Sequence, residues 1–114
     1  MSRRLTFCRR YIPLILAGEK TQTRRPIGQD PELDVGDVVA LRVPWKKQTY
    51  GLLEITAVRM QRLEEISQEE VEREGFKTLA DFKRAWGRMY GPVNGRELVR
   101  VYVFRLVSPR RSRG

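Results

Sequence analysis

The stretch Leu98-Val99-Arg100-Val101-Tyr102-Val103-Phe104-Arg105-Leu106-Val107 decides the fold class of this chain. Most of its residues are β-branched or aromatic, the types that favour strands. Successive side chains point to opposite faces of a strand, so Val99 and Val101 share one face, and Tyr102 and Phe104 share the other. The stretch therefore predicts a long strand that is apolar on both faces.

Four further segments have strand character. Residues 38–43 follow a turn at Gly36-Asp37 and have the composition of a buried strand, and residues 50–60 alternate less regularly. Residues 3–7 form a shorter candidate, and the alternating threonines within residues 18–25 favour an extended backbone. Together with the closing stretch, these segments predict about five strands.

Two short helices are predicted from their end signals. Residues 11–17 are apolar and are followed by Gly18, a typical C-terminal stop. Ser67 with Glu70 three residues later is a capping-box pattern, which predicts one or two helical turns over residues 68–73.

A third helix is predicted after Thr78 and ends near Gly91-Pro92. Phe82, Trp86 and Tyr90 recur there at helical spacing, which is typical of a face that packs into the core. Irregular loops, not regular crossover helices, separate the predicted strands, which argues against a doubly wound sheet. We therefore predict an α+β fold: a small, mostly antiparallel β-barrel of about five strands with three short helices at its rim.

Composition excludes several kinds of site. The 114 residues contain no histidine and only one cysteine, Cys8, so histidine-dependent nucleophilic catalysis, the usual zinc sites and an internal disulfide are excluded. We expect no metal and no other cofactor, and we expect Cys8 to be a small buried or half-buried hydrophobe. No apolar stretch is long enough to span a bilayer, so a soluble, cytoplasmic protein without a membrane partner is expected. Residues 1–107 are predicted to form one domain and residues 108–114 a basic tail.

The charge of the chain indicates a polyanionic partner. Lys and Arg number 23 against 14 Asp and Glu, a formal net charge of +9. The basic residues gather near both ends of the chain, whereas residues 64–74 hold six glutamates and one arginine. This asymmetry favours RNA as a partner. An arginine-rich genome or a heat-adapted host would produce a similar composition.

The segment with the most side chains suited to catalysis or binding is Gly18-Glu19-Lys20-Thr21-Gln22-Thr23-Arg24-Arg25. On an extended backbone Lys20, Gln22 and Arg24 share one face, and Thr23 and Arg25 share the other. The segment lacks the second glycine and the ending of a phosphate-binding P-loop. Taken alone, such a cluster is more often a solvated basic edge than a site.

Nearly the whole chain, roughly residues 5–107, resembles the ASCH domain family. The most specific element is Gly-x-Lys-x-x-Thr-x-Arg, matched by Gly18, Lys20, Thr23 and Arg25. The other matching segments, in the expected order, are Phe7, Ile15-Leu16-Ala17, Val35-Gly36-Asp37-Val38-Val39, Gly51-Leu52-Leu53-Glu54-Ile55-Thr56, Glu74-Gly75-Phe76 and Val101-Tyr102-Val103-Phe104.

The resemblance implies a PUA-like barrel, a fold whose relatives bind RNA, with the Gly-x-Lys motif in a cleft between barrel and helices. Some small bacterial members of the family are amidohydrolases that deacetylate N(4)-acetylcytidine. By motif position, their catalytic lysine, threonine and glutamate fall on Lys20, Thr23 and Glu74 of this chain. Glu74 is alternatively one more solvated charge of the acidic segment at residues 64–74.

Two functional hypotheses follow. The first is a module that binds RNA, a nucleotide or a modified nucleoside in a basic cleft around Gly18 to Arg25. The alternative is a hydrolase, either N(4)-acetylcytidine amidohydrolase-like or a ribonuclease, that uses Lys20, Thr23 and Glu74. Trp45 either stacks on a base or caps one end of the barrel. The residues predicted to contact nucleic acid are Arg3, Arg4, Arg9, Arg10, Lys20, Arg24, Arg25, Trp45 and Lys46.

Overall fold

The computed structural model describes residues 3–28 and 32–109 of the chain. Within these ranges five strands are present: β1 (Arg4–Thr6), β2 (Gln22–Pro26), β3 (Val38–Arg42), β4 (Gly51–Arg62) and β5 (Leu98–Pro109). The α-helices are α1 (Ile12–Leu16), α2 (Gln68–Arg73) and α3 (Leu79–Tyr90), and short 3-10 helices occupy Arg9–Tyr11 and Leu63–Glu65. Each strand and α-helix coincides with a predicted segment. The tail predicted at residues 108–114 begins within the end of β5, and its residues 110–114 lie outside the described ranges.

The strands form one mixed sheet in the order β1-β3-β4-β5-β2. β1 runs parallel to β3, and the other neighbouring pairs are antiparallel. The predicted barrel is wrong, because β1 and β2 remain separate edges in the part of the chain that the structure describes. A side chain lies where backbone pairing would close the sheet: Nη2 of Arg25 donates to the Thr6 carbonyl at 2.6 Å.

Strand β5 lies inside the sheet, between β4 and β2, and residues on both of its faces are buried. Val99 and Val101 pack in one core cluster with Phe82 and other side chains of α2 and α3. Tyr102 and Phe104 pack in a second cluster with α1, β1, β3 and β4. The predicted strand with two apolar faces is confirmed, and each face belongs to its own core.

The two core clusters meet at Phe76, which follows α2 and packs against both of them. Its ring lies edge-on to Tyr11, with centroids 5.9 Å apart, and edge-on to Phe82, with centroids 5.8 Å apart. Such edge-to-face pairs favour a fixed ring orientation. Phe76 therefore fixes the spacing between the α1 side and the α3 side of the molecule, where the candidate site lies.

Candidate functional site

The segment at residues 18–25 connects α1 to β2, and backbone geometry fixes its position. Gly18 ends the helix with a φ of +77°, a conformation that glycine adopts without steric cost. The Thr21 N–H then donates to the carbonyl of Arg73 at 2.9 Å. This bond holds the neighbouring Lys20 beside the C-terminal end of α2.

Lys20 is buried, with 4% of its surface exposed. Its Nζ donates to the carbonyl oxygens of Gln22 at 3.1 Å and Glu74 at 2.6 Å, and it lies 3.6 Å from Glu74 Oε1. Burial lowers the pKa of Lys20, the Glu74 carboxylate opposes this shift, and the charges of Arg25 and Arg24 add to it. A lysine with a lowered pKa has more of the neutral amine that accepts a proton.

Glu74 is also buried, with 3% of its surface exposed, so its interpretation as a solvated charge is wrong. Its Oε2 accepts hydrogen bonds from Nε2 of Gln22 at 3.3 Å and Nη1 of Arg24 at 3.1 Å. Lys20, Gln22 and Arg24 all contact this one residue. The predicted shared face of these three alternate residues is confirmed.

Gly75 allows the chain to turn directly after Glu74. Its φ is +100°, and a Cβ placed there would lie 3.3 Å from Cδ1 of Leu14 and 3.6 Å from Cβ of Lys20. A side chain at this position would be both strained and crowded. The glycine in the Glu74-Gly75-Phe76 segment therefore permits the close approach of Lys20 to the end of α2.

A second carboxylate, that of Glu70, belongs to the same network as Glu74, although it was not assigned to the site from the sequence. Arg24 lies between Glu74 and Glu70, with its Nη2 3.4 Å from Glu70 Oε2. Glu70 also pairs with Arg59 and accepts the Ser67 N–H at 3.0 Å, which completes the capping box of α2. The capping box was the only sequence signal for Glu70, and it does not reveal the distant arginines.

These contacts change the acidity of Glu70. Burial by itself would raise the pKa of this carboxyl, but the hydrogen bonds from Ser67 and Arg59, the charge of Arg24 and a bond from Gln61 lower it to about 2. The unfolded chain takes up a proton near pH 4.5, where folded Glu70 does not. Glu70 therefore contributes stability that is fully present above pH 4.5 and is lost as the pH falls toward 2.

We expect the Glu70→Gln variant to lose most of this acid sensitivity. The shift of the Glu70 pKa corresponds to about 3 kcal/mol of unfolding free energy at neutral pH. Denaturant unfolding at pH 6 and pH 3 should show the loss of about 2 kcal/mol of it in the wild type, since part remains at pH 3, with the exposed Glu69→Gln on the same helix as control. If the wild type and Glu70→Gln lose the same unfolding free energy between pH 6 and pH 3, the acid sensitivity does not come from Glu70.

A cavity of about 220 Å³ opens beside this network. Its polar wall consists of Lys20, Thr23, Arg24, Arg25 and Glu74. All three residues that the resemblance marks as catalytic therefore line one cavity. Among the described residues, no hydrogen bond joins the Thr23 hydroxyl to Nζ of Lys20.

The cavity lining also includes aromatic side chains, among them Phe7, Tyr11, Phe76, Trp86 and Tyr90. The Nζ of Lys20 lies 5.2 Å from the Tyr11 ring centroid and 5.7 Å from that of Phe7. Rings at this distance stabilise a cation by their quadrupole. The cavity thus combines flat apolar surfaces with a few buried polar groups.

The predicted core role of Phe82 and Trp86 is confirmed, since both are buried in one core cluster, and Tyr90 packs against them half-buried. Trp86 and Tyr90 also line the cavity, which was not predicted from the sequence. Helical spacing reports which face packs inward, but it does not reveal that this face borders a cavity. The prediction for Cys8 is wrong: its side chain is exposed beside the cavity, because it precedes the first 3-10 helix instead of entering the core.

The basic residues predicted to contact nucleic acid divide into two groups. Lys20, Arg24 and Arg25 are buried in the contacts described above, and Arg25 also lies over the Phe7 ring at 5.1 Å. The exposed group consists of Arg3, Arg4, Arg9, Arg10 and Lys46.

Three of the exposed arginines already have partners, among them Arg10, whose Nη2 donates to the Tyr11 hydroxyl at 3.3 Å. Arg3 pairs with Asp37 at 2.8 Å, and Nη1 of Arg9 donates to the hydroxyl of Tyr50 at 3.3 Å. Trp45 is 99% exposed, so the alternative in which it caps a barrel is wrong. Its φ of +68° is unusual for a bulky residue, and its neighbour Pro44 lines the cavity.

Two further properties concern the described residues as a set. Residues 3–28 and 32–109 contain no group of three or more Cys, Asp or Glu side chains placed to hold a metal ion. The helices within the same ranges are too short or too polar to cross a membrane.

Among protein-family models, that of the ASCH domain matches residues 3–108 of this chain. No curated protein matches the chain in sequence. The ASCH domain of Lactobacillus crispatus JV V101 is 21% identical, with a TM-score of 0.69 over 93% of this chain and 79% of its own.

Two other solved structures have the same fold. Protein EF3133 of Enterococcus faecalis V583 superimposes with a TM-score of 0.77 over 100% of this chain and 85% of its own, at 15% identity. The ASCH protein of Zymomonas mobilis superimposes with a TM-score of 0.66 over 92% of this chain and 67% of its own, also at 15% identity. Identities this low establish the architecture alone.

Proposed function

Since this chain belongs to the ASCH domain family, we propose that it binds one nucleotide of an RNA, or a free modified nucleoside, in the cavity beside Lys20. The observation that carries the proposal is the cavity itself, about 220 Å³ in volume, with both aromatic and polar side chains in its lining. Concave sites with mostly apolar walls and a few fixed polar groups are typical of small-ligand binding. A nucleobase needs both kinds of side chain, because its faces stack and its edges form hydrogen bonds.

The exposed basic residues supply the phosphate contacts in this proposal. Arg9 and Arg10 lie just before α1, and Lys46 lies beside the exposed Trp45. Phosphate contacts of this kind give an affinity that falls steeply with salt. Lys20 and Arg24 are buried in ion pairs, so we assign them to the cavity and not to the RNA backbone.

Fluorescence of Trp86 tests whether the cavity takes a nucleoside. The chain has two tryptophans, so Trp45→Phe leaves Trp86 in the cavity wall as the single one. Titration with cytidine and N(4)-acetylcytidine is expected to change its emission in a saturable way. If calorimetry records binding while the emission stays constant, the ligand lies elsewhere and the proposal fails.

We expect Trp45→Ala to weaken RNA binding without changing the melting temperature. The indole is 99% exposed, so it contributes little to the core. Loss of one stacked base costs about 1–3 kcal/mol, or roughly 5- to 150-fold in affinity. Binding of a short single-stranded RNA measures the effect, and Trp45→Phe, which retains a ring, is the control. Equal affinities of Trp45→Ala and wild type would remove Trp45 from the interface.

A second candidate function is amide hydrolysis, favoured by the contacts of Lys20. Two backbone carbonyls hold its Nζ in place, and burial lowers its pKa. A neutral amine fixed in this way accepts a proton. Thr23 has no hydrogen bond to Lys20 among the described residues, so we assign proton transfer from a water molecule, not from Thr23, to Lys20.

The reaction then proceeds on an acylated cytosine as follows. Lys20 takes a proton from water while the oxygen bonds to the amide carbonyl carbon. The carbon–nitrogen bond breaks, and Lys20 returns the proton to the leaving nitrogen, which gives a carboxylic acid and cytidine. Glu74 Oε1, 3.6 Å from Nζ, orients the amine and the water, Thr23 contacts the substrate, and the Arg25 guanidinium stabilises the developing oxyanion.

A further inference from the structure

A second hollow, about 290 Å³ in volume, lies between α1 and α3. Tyr11 and Phe76 line both this hollow and the cavity described above. The two spaces are therefore neighbours that share one wall.

The second hollow is rich in arginine. Arg10, Arg84 and Arg88 line it, and all three are exposed. Arg84 and Arg88 are four residues apart on α3, so they project from the same face of the helix. Asp81, which pairs with Arg84, is the acidic residue of the lining. Three cations and one anion leave the hollow positive.

Arg10 is held at the boundary between the two spaces. Its guanidinium carbon lies 5.1 Å from the Tyr11 ring centroid, and Nη2 donates to the Tyr11 hydroxyl at 3.3 Å. This arrangement fixes the planar group beside the shared wall and leaves its other N–H donors available. Arginine presents its donors in a fork that matches two oxygens of a phosphate.

We propose that Arg10, Arg84 and Arg88 form a phosphate subsite for the nucleotide whose base occupies the cavity. The inference rests on the proposed function. It adds Arg84 and Arg88 of α3 to the phosphate contacts that the proposed function assigns to Arg9 and Arg10. The phosphate is either the terminal group of a mononucleotide or a phosphodiester of an RNA chain. In both cases the same oxygens meet the same guanidinium groups.

Charge reversal on α3 tests this subsite. The variants are Arg84→Glu and Arg88→Glu, and the matched control is Lys83→Glu, an exposed basic residue of the same helix that does not line the hollow. The ligands are cytidine, cytidine 5′-monophosphate and pentacytidylate, measured by calorimetry at low salt. All four proteins should keep the same melting temperature, because exposed ion pairs contribute little to stability.

Each Arg variant is expected to weaken pentacytidylate binding about tenfold, to reduce its salt slope by about 1, and to leave cytidine binding unchanged. A matching loss for the monophosphate assigns the subsite to a terminal phosphate, and a loss for pentacytidylate alone assigns it to a phosphodiester. Losses no larger than that of Lys83→Glu for either phosphate ligand would overturn the subsite.

The same measurements separate this inference from the proposed function. If wild type binds pentacytidylate through Arg84 and Arg88 but does not bind cytidine, the cavity proposal fails, and only the phosphate contact of these arginines stands. If cytidine binds and the arginine variants behave like the control, the cavity stands and the subsite fails. Wild type that binds no phosphate ligand at low salt would overturn the subsite directly.

Discussion

The Glu74→Ala variant is expected to lose about 3–5 kcal/mol of unfolding free energy, the cost typical of leaving a buried charge without its partner. Glu74 is 3% exposed and lies between two buried cations, with Oε1 3.6 Å from Lys20 and Oε2 3.1 Å from Arg24. Its removal leaves both cations without this carboxylate, and it also removes the acceptor of the Gln22 amide. Denaturant unfolding at neutral pH gives the magnitude.

The matched control for this variant is Glu69→Ala, on the neighbouring helix α2. The side chain of Glu69 is 82% exposed and pairs only loosely with Arg73, at 3.8 Å. An exposed pair of this kind contributes at most about 1 kcal/mol. Equal losses in the two variants would show that Glu74 is not the counter-ion of a buried network.

For the hydrolase candidate, Lys20→Ala is expected to lower the rate of N(4)-acetylcytidine hydrolysis by about 10²- to 10⁴-fold, the usual contribution of a positioned general base. In wild type the rate should rise with pH as Lys20 loses its proton, at a pH below the ordinary lysine value of 10.5. Lys20→Ala should lose this dependence as well as the rate.

Lys83→Ala is the control for the Lys20 variant, because Lys83 is exposed on α3 and lines neither the cavity nor the second hollow. Both variants should be checked for folding by thermal unfolding, since removal of Lys20 also changes the environment of Glu74. A folded Lys20→Ala protein with the wild-type rate would exclude Lys20 as the base. A wild type without turnover of acylated cytidine or of RNA would exclude the hydrolase candidate and leave the binding proposal intact.

The sequence predicted those features of the fold that depend on neighbouring residues. The capping box of Ser67 and Glu70, the spacing of Phe82 and Trp86, and the two apolar faces of β5 are local patterns with a fixed period. Each of them appears in the structure at the predicted place. Closure of the sheet is not local, because it depends on whether its two edges meet, and a bond from Arg25 to Thr6 occupies the gap instead.

The candidate site was likewise predicted only where it depends on neighbouring residues. The alternation within residues 18–25 correctly placed Lys20, Gln22 and Arg24 on one face, but it contained no information about what that face contacts. The partner, Glu74, is about fifty residues away in the chain, and only the family resemblance connected it to Lys20. A glutamate within an acidic segment is usually solvated, so composition alone pointed away from its burial.

Arg24 contacts two carboxylates that lie one helical turn apart, Glu70 and Glu74. Both ion pairs therefore require that Glu70 and Glu74 project toward Arg24 from the same side of α2. One residue inserted or deleted between these positions would rotate one carboxylate by about 100° away from Arg24. For protein engineering, this means that α2 accepts substitutions on its outer side but no change in length, so that tags, linkers and grafted segments belong elsewhere in the chain.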